Sequence, residues 1–263
     1  MAQARSLAGL RTLVTGASSG IGAATSILLA QHGARVVGTG RDAEALAANN
    51  QHFVTTICWD LLEGGAPSAV VSGAVDALGG LDVLVSNAGA GWLGPFETMS
   101  PEEVDSVLDL NLRAPLHLAH AASKHLRSSA VGGQLVLVGS IAGLLGVAEE
   151  VAYCTAKAGL RGLAESLRAE WTSGVGGSQN QVTVTLVSPG PVDTPFFERR
   201  NQPYMRSWPK PVPVETVAST IVGTIERRLE DVVVPGWLAF PARLNGGLPA
   251  LYRRLSGLEG RLH

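Results

Sequence analysis

The sequence predicts a single α/β domain: a doubly wound, seven-stranded parallel sheet with helices on both faces. Three observations carry that expectation. Short, Val-rich apolar runs alternate along the chain with longer Ala/Leu-rich helical segments. Runs such as Val83-Leu-Val85 and Leu135-Val-Leu-Val138 are apolar without alternation, as strands covered on both faces are. A Gly-rich turn, Thr15–Gly22, falls between the first predicted strand and the first predicted helix.

In chain order, a first strand at Arg11–Thr15 leads through that turn into a helix over Gly20–His32. A strand at Arg35–Thr39 precedes a helix at Ala43–Asn49, and one at Phe53–Ile57 precedes a helix at Ala66–Leu78. Asp82–Ser86 is followed by a long helix over Pro101–Arg127, and Gln134–Gly139 by another over Val151–Thr172. Gln181–Val187, a helix at Val214–Leu229 and a last strand at Asp231–Pro235 complete the alternation. Gly-rich stretches at 64–65, 79–80, 132–133 and 174–177 read as turns between elements, not as linkers between domains. There is no repeat of solenoid period and no low-complexity tract, so residues 1–263 form one domain.

Composition narrows the function classes. Of 263 residues, 46% are hydrophobic and 16% charged, which is a globular balance. A formal net charge of −2 excludes a general electrostatic attraction to nucleic acid or anionic membrane. The two cysteines, Cys58 and Cys154, lie outside any metal-ligand spacing and suit a reducing compartment. The most apolar stretch, Leu135–Ala148, is broken by Ser140 and three glycines, so it is no membrane span. A soluble, cytoplasmic protein is expected.

The chemistry is concentrated in Tyr153-Cys-Thr-Ala-Lys157, 13 residues after Ser140. A Tyr and a Lys four positions apart project from one helix face, and a nearby ammonium favours the phenolate. Alone the pattern is weak; joined to the Gly-rich turn it points to an oxidoreductase. In Gly16-Ala-Ser18-Ser19-Gly20-Ile21-Gly22 the glycines let backbone N–H groups approach a pyrophosphate at the helix N-terminus.

At the end of the second strand, Gly40 stands where an NAD-preferring site would carry an acid, and Arg41 follows. A guanidinium there pairs with a 2′-phosphate, which favours NADP(H) over NAD(H). The alternatives are that Arg41 merely begins a helix, or that Asp42 takes the acidic role. Asp60-Leu61 is placed to meet the adenine, or to cap a helix. Asn87-Ala88-Gly89 lets the nucleotide lie against the backbone. Pro189-Gly190-Pro-Val192-Asp-Thr194 presents backbone groups and a hydroxyl to a carboxamide.

Together these residues resemble the short-chain dehydrogenase/reductase family in its single-domain branch, from about Arg11 to Pro235. The resemblance implies a Rossmann-like fold and roles for four residues. Tyr153 is the general acid–base, Lys157 lowers its pKa and binds the nicotinamide ribose, Ser140 holds the substrate oxygen, and Asn111 helps hold a proton-relay water. It implies NADP(H)-dependent interconversion of a carbonyl compound and a secondary alcohol. It also implies a substrate lid at about 190–213 and assembly as a homodimer or homotetramer through the two long helices. Departures are Ser86 before Asn87, and Ser19, where some NADP-binding members carry a base. Alternatives are an NAD(H)-dependent alcohol dehydrogenase, or a non-catalytic sensor, which would have lost Tyr153 or Lys157.

Other features carry less. His117, His120 and His125 share a helix but lack a Cys or paired acid at ligand spacing, so no metal is expected. Glu149 and Glu150 either contact a polar substrate or serve the dipole of the helix they precede. Phe196, Phe197, Tyr204, Met205 and Trp208, with Trp92 and Phe96, either line an apolar pocket or pack the lid. In the C-terminal extension, about 237–263, Leu244, Leu248, Leu251, Leu255, Leu258 and Leu262 form a helical stripe with Arg243, Arg253, Arg254 and Arg261 among them. Gly246-Gly247, Pro249, Gly257 and Gly260 interrupt it, so packing against protein is expected over contact with a membrane.

Overall fold

A computed structural model of the chain describes residues 4–172, 182–200, 202–252 and 254. Strands β1 (Arg11–Thr15), β2 (Arg35–Gly40), β3 (Thr55–Cys58), β4 (Val83–Ser86), β5 (Gln134–Val138), β6 (Thr183–Pro189) and β7 (Asp231–Val234) form one sheet. Their order is β3-β2-β1-β4-β5-β6-β7 and every neighbouring pair is parallel. The chain winds outward from β1 to β3, then returns to place β4 on the other side of β1. Ligands bind in the crevice that such a reversal opens at the carboxyl ends of the strands.

The helices are α1 (Gly20–Gln31), α2 (Ala43–Ala48), α3 (Ala66–Leu78), α4 (Pro101–Leu108), α5 (Ala114–Arg127), α6 (Val151–Thr172), α7 (Phe196–Arg199), α8 (Val214–Arg227) and α9 (Ala239–Gly247). Two buried cores explain the unbroken apolar runs. Leu84, Leu135 and Leu137 face α3, α5 and α6, while Val83, Val85, Val136 and Val138 face α1 and α8. All seven are at most 4% exposed. Each such side chain contributes about 1.5–3 kcal/mol by leaving water. At the opposite end of the sheet from the crevice, Arg11 grips Asp82 through two hydrogen bonds, at 2.9 and 2.7 Å.

Three sequence expectations shift. The predicted helix over Pro101–Arg127 starts at a capping box between Ser100 and Glu103 but is interrupted by a π-turn at Asp109–Arg113. Pro115 accounts for the break: it has no N–H to offer the carbonyl of Asn111. The third strand begins at Thr55, not Phe53, because Asn50–His52 form a 3₁₀ turn and the Phe53 ring tucks beneath Gly38. The C-terminal stripe ends its first helix at Gly247, with Leu248 and Leu251 exposed. The predicted turn at 174–177, Leu255, Leu258, Leu262, Arg253, Arg261, Gly257 and Gly260 lie outside the described residues. Among those described, no helix is long and apolar enough to cross a membrane.

Candidate active site

A cavity of about 980 Å³ opens along the carboxyl ends of the strands. All eighteen residues expected at a cofactor site, and the catalytic four, line it except Gly22, which lies directly behind its wall. Gly22 shows why a glycine is required there. A Cβ at that position would fall 2.2 Å from the Gly16 carbonyl and 2.5 Å from Asn87 Nδ2. Asn87 in turn donates to Thr15 O at 3.0 Å, while Thr15 Oγ1 accepts from the N–H groups of Asn87 and Ala88 at 3.0 and 3.1 Å. The turn after β1 is thereby locked to the end of β4. The Ser19 hydroxyl caps none of the N–H groups of α1, whose first turn carries no acid. That leaves the α1 N-terminus suited to a phosphate.

At the end of the cavity beside β2 and β3, Arg41 donates to Asp60 at 3.4 Å with most of its side chain in solvent. The Asp60 carboxylate also accepts from Leu62 N at 3.0 Å, so it shapes a turn and begins no helix. Asp42 is the N-cap of α2, accepting from Ala45 N at 2.9 Å. One oxygen of its carboxylate is thereby engaged by the backbone.

At the other end, four elements deliver one side chain each or two. The π-turn rotates Asn111 inward, fully buried, where its Nδ2 donates to Ala90 O and Val107 O at 2.8 and 2.9 Å. Its Oδ1 is buried and has no hydrogen-bond partner among the described residues. Gly89 lies so close that a Cβ there would sit 2.6 Å from this oxygen and 3.5 Å from Lys157 Nζ. Ser140 lies two residues past the end of β5 and caps a 3₁₀ turn, its hydroxyl accepting from Ala142 N at 3.1 Å. Tyr153 and Lys157, one turn apart on α6, are 9% and 5% exposed.

Lys157 Nζ donates to Val138 O at 3.0 Å and lies 5.6 Å from the centre of the Tyr153 ring. Burial pulls the Lys157 ammonium down to about 8. Burial also pushes the Tyr153 phenol well above its usual value, against the opposing pull of the Ser140 hydroxyl. Before ligand enters, the phenol is therefore neutral at physiological pH.

The roof comes from 190–213 and the C-terminal extension. An aromatic chain runs from Tyr153 to Phe196 at 5.6 Å, Phe196 to Phe197 at 5.6 Å and Phe197 to Tyr204 at 5.0 Å. Trp208 meets Trp237 at 4.8 Å, and Phe240 and Leu244 complete the apolar wall. Asn245 ties α9 to the turn after Ser140 by donating to Leu144 O at 3.0 Å. The described part of the extension, residues 237–252, thus packs on the cavity of its own chain.

Other expectations separate from the site. Trp92 packs behind it against Met99 and Val107, and Phe96 is exposed. His117 and His120 are exposed on α5, and no metal-holding cluster occurs among the described residues. Glu150 is neither a free substrate contact nor a dipole partner alone, because Arg200 donates to it at 2.8 Å. That pair, and a hydrogen bond from Arg199 Nη1 to Ser19 Oγ at 2.9 Å, join residues 50 and 180 positions apart and carry no local sequence signal.

The model of the short chain dehydrogenase family matches residues 11–204, most of the chain and a span that includes Asn111, Ser140, Tyr153 and Lys157. The chain belongs to the short-chain dehydrogenase/reductase family. Its members are NAD(P)-dependent oxidoreductases acting on small molecules. Among relatives, the uncharacterised oxidoreductase YxnA of Bacillus subtilis is 31% identical over 92% of this chain and 70% of its own. The hydroxynaphthalene reductase-like protein Arp2 of Metarhizium majus is 32% identical over 81% of this chain and 79% of its own. A metagenomic short-chain oxidoreductase solved with NADP is 34% identical, with a TM-score of 0.72 over 88% of this chain and 98% of that one. A family member from Burkholderia phymatum, solved with NAD, shares the fold at a TM-score of 0.83 over 94% and 96% of the two chains, with 20% identity.

The cavity fits such a dinucleotide: Gly16, Gly20, Gly89 and Gly190 present backbone without side chains along it, and Asn111 Oδ1 offers an unused acceptor.

Proposed function

We propose that this protein reduces a bulky, apolar ketone to the secondary alcohol, using NADPH in preference to NADH. The observation that carries the reading is the meeting of Tyr153, Ser140, Lys157 and Asn111 at one wall of a cavity whose roof is aromatic. Gly16, Ser18–Gly22, Asn87–Gly89, Pro189, Gly190, Val192 and Thr194 hold the dinucleotide, and Asp60 and Leu61 border its adenine. When bound, the cofactor supplies the hydride to the carbonyl carbon. The residues of the chain do the rest. Tyr153 Oη gives its proton to the carbonyl oxygen, and the Ser140 hydroxyl donates to the same oxygen as charge builds there. Lys157 steadies the phenolate left behind. Asn111 Oδ1 and Lys157 Nζ both approach Gly89, and the free acceptor of Asn111 would hold a water that relays the proton back to solvent.

A neutral phenol is the form that donates a proton in reduction. Gly40 presents no acid to repel a 2′-phosphate, and the solvent-exposed Arg41–Asp60 pair is worth little, so Arg41 is free to turn to that phosphate. The hydroxynaphthalene reductase-like relative supports an aromatic carbonyl substrate. We further propose self-association through the faces of α4–α5 and α6, with Leu116 and Val151 exposed on them.

The test is a screen of NADPH consumption across aromatic, aliphatic and acyl-thioester ketones, repeated with Tyr153→Phe. The variant is expected to bind cofactor normally and lose nearly all turnover. Substantial residual kcat would mean that another group is the proton donor.

A further inference from the structure

Arg199 is the last residue of α7, on the segment that roofs the cavity. Its Nη1 donates to Ser19 Oγ at 2.9 Å, and Ser19 is the N-cap of α1. The contact leaves the guanidinium charge uncompensated: the Ser19 hydroxyl is neutral, and the positive end of the α1 dipole offers a cation no counter-charge. Among the described residues no carboxylate pairs with Arg199. The same segment makes a second contact at this end of α1, where the Thr194 side chain lies over Gly20 at 3.3 Å from the position of a Cβ. Arg199, Ser18, Ser19 and Arg41 all line the one cavity.

We propose that Arg199 is a ligand of a cofactor phosphate, completing from the roof a site whose other wall is the N-terminus of α1. The proposal rests on the family's dependence on a dinucleotide and not on the substrate. A phosphate there would lie between two positive groups and accept from the planar fork of the guanidinium. Two sources share this chemistry: the pyrophosphate, present in both cofactors, and the 2′-phosphate, present only in NADP(H).

NADPH and NADH are titrated into wild type, Arg199→Ala, Arg199→Gln and Arg199→Lys at low and high KCl. Arg199 is exposed, so the variants should melt with wild type in the absence of cofactor. The expected result is a Kd raised about tenfold to a hundredfold in Arg199→Ala and Arg199→Gln, and less in Arg199→Lys. The uncharged variants should also lose part of the salt dependence of binding. Loss with both cofactors assigns the pyrophosphate; loss with NADPH alone assigns the 2′-phosphate. Unchanged affinity for both in Arg199→Ala overturns the proposal. So does a loss that Arg199→Gln repairs, or one that leaves the salt dependence intact, since either marks a hydrogen-bonded latch to Ser19. Wild type that binds neither cofactor would overturn this proposal and the proposed function together. If wild type binds and Arg199 is silent, only the role of Arg199 falls.

Discussion

Arg200 and Glu150 form an ion pair of 2.8 Å, with side chains only 4% and 14% exposed, immediately before the helix that carries Tyr153. The Arg200 guanidinium also lies 4.7 Å from the centre of the Phe197 ring. The pair therefore fastens the roof of the cavity to the start of α6.

Breaking one side of this pair should cost more than removing both. Arg200→Met leaves the Glu150 carboxylate buried without its partner, a loss of about 3–5 kcal/mol. Arg200→Met with Glu150→Gln removes both charges and should recover a large part of it. Urea denaturation of the two single variants and the double variant measures the difference. Strictly additive losses would mean that the charges do not act on one another.

Arg41→Ala should weaken NADPH about tenfold to a hundredfold, the loss of a charge-assisted pair, and leave NADH unchanged. Titration of both cofactors gives the answer. Equal NADPH affinity in wild type and variant would remove Arg41 from the 2′-phosphate site.

Lys157 makes stability depend on pH in one direction. Burial lowers its pKa from 10.5 to about 8. Between those values the unfolded chain keeps a proton that the folded chain has released, so stability rises as pH climbs through the window. Below pH 8 the cost of burying the ammonium is present in full. The Tm of wild type relative to Lys157→Met should therefore increase from pH 8 to 10. A flat or falling difference would contradict a buried ammonium.

The extension should matter for more than solubility. Asn245→Ala loses the bond to the Leu144 carbonyl and should cost about 0.5–1.5 kcal/mol. Ending the chain after Phe240 also removes Leu244 from the cavity wall, and should lower Tm further and raise KM for an apolar ketone. Melting curves and steady-state kinetics on the two variants separate anchoring from pocket lining.

The sheet was legible because its strands are buried on both faces: Leu135-Val-Leu-Val138 serves two cores at once and shows as one unbroken run. Tyr153 and Lys157 were legible because their spacing is a local helical one. Arg199 with Ser19, and Arg200 with Glu150, were not, because nothing local couples an arginine in a loop to a side chain 50 or 180 positions away. The break between α4 and α5 had a signal that the apolar pattern obscured: Pro115 stands in the middle of the predicted helix. Trp92 and Phe96 stayed undecided between lining the pocket and packing the lid, since aromatic composition near a site does not say which way a ring faces.

That break has a consequence for chain length. A π-turn holds one residue more than the α-helix around it, which offsets α5 from α4 by about 100°. Losing one residue of the π-turn ahead of Asn111 would change that phase and turn Asn111 away from Gly89, which its Oδ1 now approaches. Substitutions in the same stretch leave that phase untouched. Counting, as much as chemistry, keeps Asn111 where it is.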